Sequence, residues 1–139
     1  MLVSSYEVCE GGGGKGGREM IYLAHNFAAR EWLRDEVKPF FEQNGVEVAS
    51  FWIEGVQDDP VQDAVRDLED IDKSSVVLFF MGQFGKTPGR GKYFELGYAL
   101  RAGKRVVLIG DDSFMGECVF YHLPNLFRAK DYKEAMKYV

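Results

Sequence analysis

Apolar residues in this chain fall into short unbroken runs separated by stretches of helical spacing. Met20 to Ala24 and Ser75 to Met81 are continuous apolar runs, which is how a strand covered on both faces reads. Val46 to Ile53 and Arg105 to Ile109 read as two more strands, and Asn125 to Ala129 as a short fifth. Between the first two, Ala28 to Asn44 carries Trp32, Leu33, Val37, Phe40 and Phe41 at steps of one, three and four, a helical period. Gly45 stands where a helix of that length would stop. Asp59-Pro60 opens a second helix, with Asp as N-cap and Pro in the first turn. Its apolar face is Val61, Ala64, Val65, Leu68 and Ile71. A third helix runs from about Lys92 to Ala102 and closes at Gly103; a last one covers Tyr132 to Tyr138. Alternating strands and helices predict the α/β class. The expected architecture is a single doubly wound, mostly parallel sheet of four or five strands in flavodoxin-like order.

Composition and charge narrow the picture. The chain has 139 residues, 46% of them hydrophobic, with 11 Phe and 7 Tyr. That suits one domain with an ordinary core and no need of metal or disulfide support. Residues 1–19 stand apart, because Gly11 to Gly17 has too little side chain to pack. The reading is a flexible Gly-rich tail followed by one domain over 20–139. The glycine run is not a phosphate loop, since Lys15 is followed by Gly16 and not by Ser or Thr. The formal net charge is -5 with no basic stripe, which argues against a nucleic-acid polymer as partner. Two isolated cysteines, Cys9 and Cys118, do not make a disulfide framework. The longest apolar run is too short to cross a bilayer, and no signal-peptide pattern opens the chain. A cytoplasmic protein without membrane contact is expected.

In a sheet of this kind, ligands bind beyond the carboxyl ends of the strands, where strand order reverses. Two loops should meet there. One holds His25, Asn26, Phe27 and Arg30; the other runs from Gly82 to Gly91 and includes Phe84, Gly89 and Arg90. Arg30 and Arg90 are candidate anion binders, or equally members of surface ion pairs. Glu95 follows the glycine-rich loop, on or beside the helix face that meets the sheet. A carboxylate there is costly to desolvate without a purpose, although the positive end of the helix would also favour an acid. Asp67, Glu69, Asp70 and Asp72 form an acidic group that reads mainly as a solvated face. No nucleophile elbow accompanies His25, so a hydrolase triad is unsupported. No spaced ligand set suggests a metal, and no motif calls for a cofactor.

Three segments carry a family resemblance: Ile21-Tyr22-Leu23-Ala24, Arg66 to Ile71, and Glu95-Leu96-Gly97-Tyr98-Ala99-Leu100. With Gly103 to Leu108 continuing as a strand, their order and spacing resemble the nucleoside 2-deoxyribosyltransferase-like superfamily over roughly residues 20–110. The resemblance implies a retaining, double-displacement reaction at an N-glycosidic bond. It makes Glu95 the nucleophile, Asp67 an acid that handles the leaving base, and Tyr22 a hydroxyl that orients the nucleophile. The expected activity is transfer of deoxyribose from one base to another. Hydrolysis of a 2′-deoxynucleoside 5′-monophosphate is the alternative, and a non-catalytic nucleotide-binding module is the reading from another class. The Gly82 to Gly91 loop departs from the simple transferases in being longer and more basic, which leans toward the monophosphate hydrolases. The resemblance also implies a homo-oligomer and a small nucleoside or nucleotide as substrate.

Overall fold

The computed structural model describes residues 19–82, 89–111, 113 and 118–139. The glycine-rich tail and Phe84 lie outside those residues. Five strands form one parallel sheet in the order β2-β1-β3-β4-β5. They are β1 Glu19–Ala24, β2 Val46–Val48, β3 Val76–Phe80, β4 Arg105–Ile109 and β5 Leu126–Ala129. The α-helical segments are α1 Arg30–Trp32, α2 Lys38–Gln43, α3 Pro60–Lys73, α4 Gly91–Arg101 and α5 Tyr132–Ala135. The sheet is thus the doubly wound, flavodoxin-like one that the sequence predicts.

Strand parity decides what each face of the sheet meets, because successive side chains point to opposite sides. Ile21, Leu23, Leu78, Phe80 and Val107 pack with Leu33, Val37, Phe41 and Ala135 on one side. Tyr22, Ala24, Val77, Phe79 and Leu108 pack with Ile71, Leu96, Ala99 and Leu100 on the other. The β1 parity therefore sends Tyr22 under α3 and α4, the two helices that carry Asp67 and Glu95.

The first predicted helix is a composite. A 3-10 turn at Phe27–Ala29 leads into α1, a π-helical stretch at Leu33–Val37, and then α2. Pro39 sits in the first turn of α2, where its missing N–H costs little. The second strand is shorter than its pattern suggested. It ends at Val48, and Phe51–Glu54 turn into a 3-10 segment instead. Ser50 takes over at that point: its Oγ accepts the Leu23 backbone N–H at 2.8 Å, while Trp52 Nε1 donates to the Leu23 carbonyl at 2.8 Å. Side chains thus replace strand-to-strand bonds, and the chain leaves the sheet early to form a wall above it.

The start of α3 matches its sequence signal. Asp59 Oδ1 accepts from the N–H groups of Val61 at 3.0 Å and Gln62 at 3.1 Å. The orientation of α3 does not match. Val61, Val65 and Leu68 are exposed, and of the expected inward stripe Ile71 alone is buried. The inward face carries Asp67 and Asp70 instead. Asp70 is buried and accepts the Phe51 N–H at 2.9 Å, so this acid ties α3 to the 3-10 wall. The acidic group is therefore not simply a solvated face.

Ser50→Ala leaves the buried Leu23 N–H without its acceptor. An unmet buried donor costs about 1–3 kcal/mol. Urea denaturation should show a loss of that size with an unchanged m-value.

Candidate active site

A cleft of about 390 Å³ opens where the loops after β1 and β3 diverge. In this strand order that is the switch point of the sheet. One side is the loop after β1, with His25, Asn26 and Phe27; the facing wall is Phe51, Trp52, Val56 and Gln57. The α3 helix contributes Asp63, Arg66 and Asp67, and the start of α4 contributes Gly89, Arg90, Gly91, Lys92 and Glu95. The structure therefore brings together most of the residues singled out from sequence. Of the described ones, Tyr22, Arg30 and Gly82 stay off the cleft lining, Tyr22 reaching the site through its hydroxyl. Arg30 lies with its guanidinium 4.3 Å over the Phe27 ring and donates to the Phe27 carbonyl at 3.2 Å. Gly82 meets the site indirectly, its carbonyl accepting from Lys92 Nζ at 3.2 Å.

The centre of the cleft is a carboxyl pair. The fully buried Tyr22 donates its hydroxyl to Glu95 Oε2 at 2.9 Å. Glu95 in turn hydrogen-bonds Asp67. Burial, then the Asp67 charge, pushes Glu95 well above the ordinary carboxylate range; the Tyr22 hydroxyl opposes that shift. Burial also raises Asp67, while its bond to Glu95 works in the opposite sense. Two carboxyls in such contact cannot both ionise cheaply, so the pair holds one proton and titrates as a unit. Burial and the neighbouring Glu95 charge keep Tyr22 protonated. The sequence pattern read Asp67 as part of a mainly solvated acidic face, and the family resemblance alone gave it a place in the site. Its placement in the site follows from the turned face of α3.

The other end of the cleft is cationic. Lys92 is buried and its Nζ donates to the Phe80 carbonyl at 2.6 Å as well as to Gly82. Burial holds its pKa down. Burial and the Lys92 charge together lower His25 to about 4, so His25 is neutral near neutrality. Its ring stacks on Phe80 at 5.1 Å, and its Nδ1 accepts the Asn26 N–H at 2.8 Å. That arrangement fits a wall residue rather than a proton carrier. Arg90 stands at the N-cap of α4, where unpaired N–H groups and the helix dipole add positive character. Gly89 lets this loop approach: its φ is +64°, and a Cβ there would stand 2.5 Å from Asn26 Cβ.

Sequence reasoning did not single out Phe51, Trp52, Gln57, Asp63, Arg66 or Lys92 as site residues. The wall was hidden by the strand predicted through Ile53. Lys92 had a usable signal, since three residues before Glu95 is the same helix face. Among the described residues no group of three or more His, Cys, Asp or Glu is placed to hold a metal ion. None of their helices is long and apolar enough to cross a membrane.

No family model matches the chain, and no curated protein matches it either. Solved structures do. A CMP N-glycosidase from Clostridium botulinum aligns with a TM-score of 0.58 at 21% identity, over 86% of this chain and 97% of that one. A 2-deoxyribosyltransferase from Bacillus psychrosaccharolyticus aligns at 0.62 and 21% identity, over 86% and 92%. A 2-deoxyribosyltransferase from Leishmania mexicana aligns at 0.57 and 22% identity, over 68% and 65%. The chain therefore has the fold that these N-glycosidase and deoxyribosyltransferase structures share.

The carboxyl pair makes a stability prediction. A group whose pKa is raised on folding favours the fold while protonated and loses that contribution as pH climbs. Glu95→Gln removes the more strongly shifted member. The variant should match wild type near pH 4, the ordinary carboxylate range. It should then become the more stable by about 1 kcal/mol or more toward neutral pH. Denaturant midpoints across that range test this, and a pH-independent difference would contradict it.

Proposed function

We propose that the chain cleaves the N-glycosidic bond of a deoxynucleoside through a covalent deoxyribosyl-Glu95 intermediate and passes the sugar to a second base. The observation that carries this reading is the Tyr22–Glu95–Asp67 constellation at the floor of a nucleoside-sized cleft. The fold shared with deoxyribosyltransferases and a CMP N-glycosidase supports it.

The chemistry needs one ionised carboxylate and one proton, which is what the coupled pair holds. A Glu95 oxygen attacks C1′ while the bond from C1′ to the base nitrogen breaks. The bonding pair leaves with the base, which takes a proton from Asp67. In the free site the strongly raised Glu95 retains the proton. Positive charge growing on C1′ reverses that preference, and the proton passes to Asp67. The Tyr22 hydroxyl assists by favouring the Glu95 anion. In the second half, Asp67 takes a proton from the incoming base as that base attacks C1′ and releases Glu95. Two displacements return the original configuration. Trp52 and Phe51 offer apolar surface to the base, and Gln57 and Asp63 offer polar groups to its edge.

Hydrolysis of a nucleoside 5′-monophosphate is the second reading. The cationic end of the cleft, with Arg90 and Lys92 beside the α4 N-terminus, favours it. Water then replaces the incoming base.

A product assay tests both. The protein is incubated with a deoxynucleoside, or its 5′-monophosphate, with and without a second free base. A new nucleoside formed only with the added base is the result expected for transfer. Free base released from the monophosphate alone would assign hydrolysis. Glu95→Ala should lower either rate by at least about 10³-fold while the fold persists. Arg90→Ala should raise KM for a monophosphate about tenfold or more and leave a nucleoside nearly unaffected, on the usual strength of charge-assisted bonds. Turnover surviving in Glu95→Ala would end the proposal.

A further inference from the structure

The wall that offers its rings to the base is fastened at three consecutive residues. Ser50 Oγ accepts the Leu23 N–H and Trp52 Nε1 donates to the Leu23 carbonyl, each at 2.8 Å. Both bonds fix the wall to β1, the strand that carries Tyr22. Between them, the Phe51 N–H donates to Asp70 Oδ2 at 2.9 Å. That bond fixes the wall to α3, the helix that carries Asp67. Asp67 and Asp70 stand three residues apart, which places them on one helix face about 5–6 Å from each other. A base that stacks on Phe51 and Trp52 and turns a ring nitrogen toward Asp67 spans an offset that the Asp70 side chain sets. Asp70 itself does not line the cleft, so it acts through the groups it holds.

A neutral acceptor would satisfy one N–H and cost less to bury than a carboxylate. Asp70 is 6% exposed. Its other oxygen lies 3.7 Å from Lys73 Nζ, on a side chain that is 63% exposed, and ion pairs in that much water are weak. Much of the Asp70 charge is therefore left to act on its neighbours. Asp67 feels Glu95 from α4, lies within reach of Tyr22 from β1, and feels Asp63, Arg66 and Asp70 from its own helix. Burial is the main cause that raises Asp67; among the α3 charges Asp70 comes ahead of Asp63, and Arg66 opposes both. The Asp70 charge also reaches Tyr22, in the same upward sense as burial and the Glu95 charge.

We infer that Asp70 is a positioning residue for the cleavage of the glycosidic bond: its side chain holds the base-facing wall at a fixed offset from Asp67, and its negative charge faces the carboxyl pair. The inference rests on the reading of Asp67 as the acid that serves the base. It gives the second buried acid of α3 a use that a plain structural tie does not need. The geometric part needs an acceptor oxygen at this position. The electrostatic part needs the charge.

Two variants separate the parts. Asp70→Asn keeps an acceptor for the Phe51 N–H and removes the charge; Asp70→Ala removes both. With whichever nucleoside or 5′-monophosphate the protein turns over, Asp70→Ala should raise KM about tenfold, on the usual strength of a bond to a charged group. Asp70→Asn should bring KM back to within about threefold of wild type, since the bond survives in neutral form. The active site holds one proton on the carboxyl pair, and one fewer negative neighbour makes each ionisation of that pair easier. Both limbs of the kcat/KM profile should therefore move to lower pH in Asp70→Asn, by about half a unit for a charge one helical turn away. Carboxyl-carbon NMR titration of wild type and Asp70→Asn reads the same displacement for Asp67 and Glu95 with no substrate present. Titrations that superimpose overturn the electrostatic part. A KM in folded Asp70→Ala within twofold of wild type, or an Asn variant that matches Ala, overturns the geometric part. Where Ala fails to fold, hydrogen exchange at the Phe51 amide replaces it: protection in Asp70→Asn equal to wild type is expected, and its loss overturns the tie. The NMR and exchange readouts do not involve turnover, so a protein without deoxyribosyl chemistry would end the proposed function and still leave these outcomes to be read.

Discussion

Two carboxyl groups pressed together beneath a buried tyrosine hydroxyl are the constraint around which this domain is arranged. Each carboxyl is expensive to bury, and each makes the other harder to ionise. The fold carries that cost with a rigid frame. Tyr22 is fixed by the centre of the sheet, on a strand paired on both sides. Asp67 is fixed by α3, which Asp59 caps at one end and which Asp70 fastens to the Phe51 backbone one turn further on. Glu95 is fixed by α4, whose Leu96, Ala99 and Leu100 lie in the core. None of the three can move far without disturbing packed structure.

The same geometry gives the cleft two unlike ends. Strands that all run one way deliver their carboxyl ends, and the N-termini of the following helices, to one edge of the sheet. That edge is positive by construction, and Arg90 and Lys92 reinforce it. The acids enter from the inward faces of α3 and α4, a little deeper along each helix. A molecule with a sugar between a base and an anionic group would meet a suitable environment for each part. The exposed apolar stripe of α3 follows from the same choice: a helix that turns its acids inward leaves its apolar positions outside.

Much of this was legible in the sequence, and the exceptions have physical causes. Strands β1, β3 and β4 announced themselves as unbroken apolar runs because both faces are covered. The α3 start was legible because an N-cap and Pro60 act locally. Glu95 was legible from its place after a glycine-rich loop and from family resemblance, and Tyr22 and Asp67 from the resemblance. The extent of β2 was not, since Val46 to Ile53 keeps an apolar pattern while Ser50 and Trp52 end the strand through side-chain bonds to Leu23. The orientation of α3 was not legible either. Its apolar period normally marks the buried face, and the stripe turned out to be exposed. Periodicity reports that a face is apolar, and leaves open what covers it.

The account rests on Glu95 as a nucleophile that bonds to the sugar. The most direct measurement is peptide mass spectrometry after rapid mixing with a deoxynucleoside or its 5′-monophosphate and acid quench within one turnover. The account predicts a peptide containing Glu95 heavier by one deoxyribosyl unit, with the 5′-phosphate retained where the monophosphate is used. Turnover with no sugar on any peptide, or with the sugar on a different residue, would contradict it.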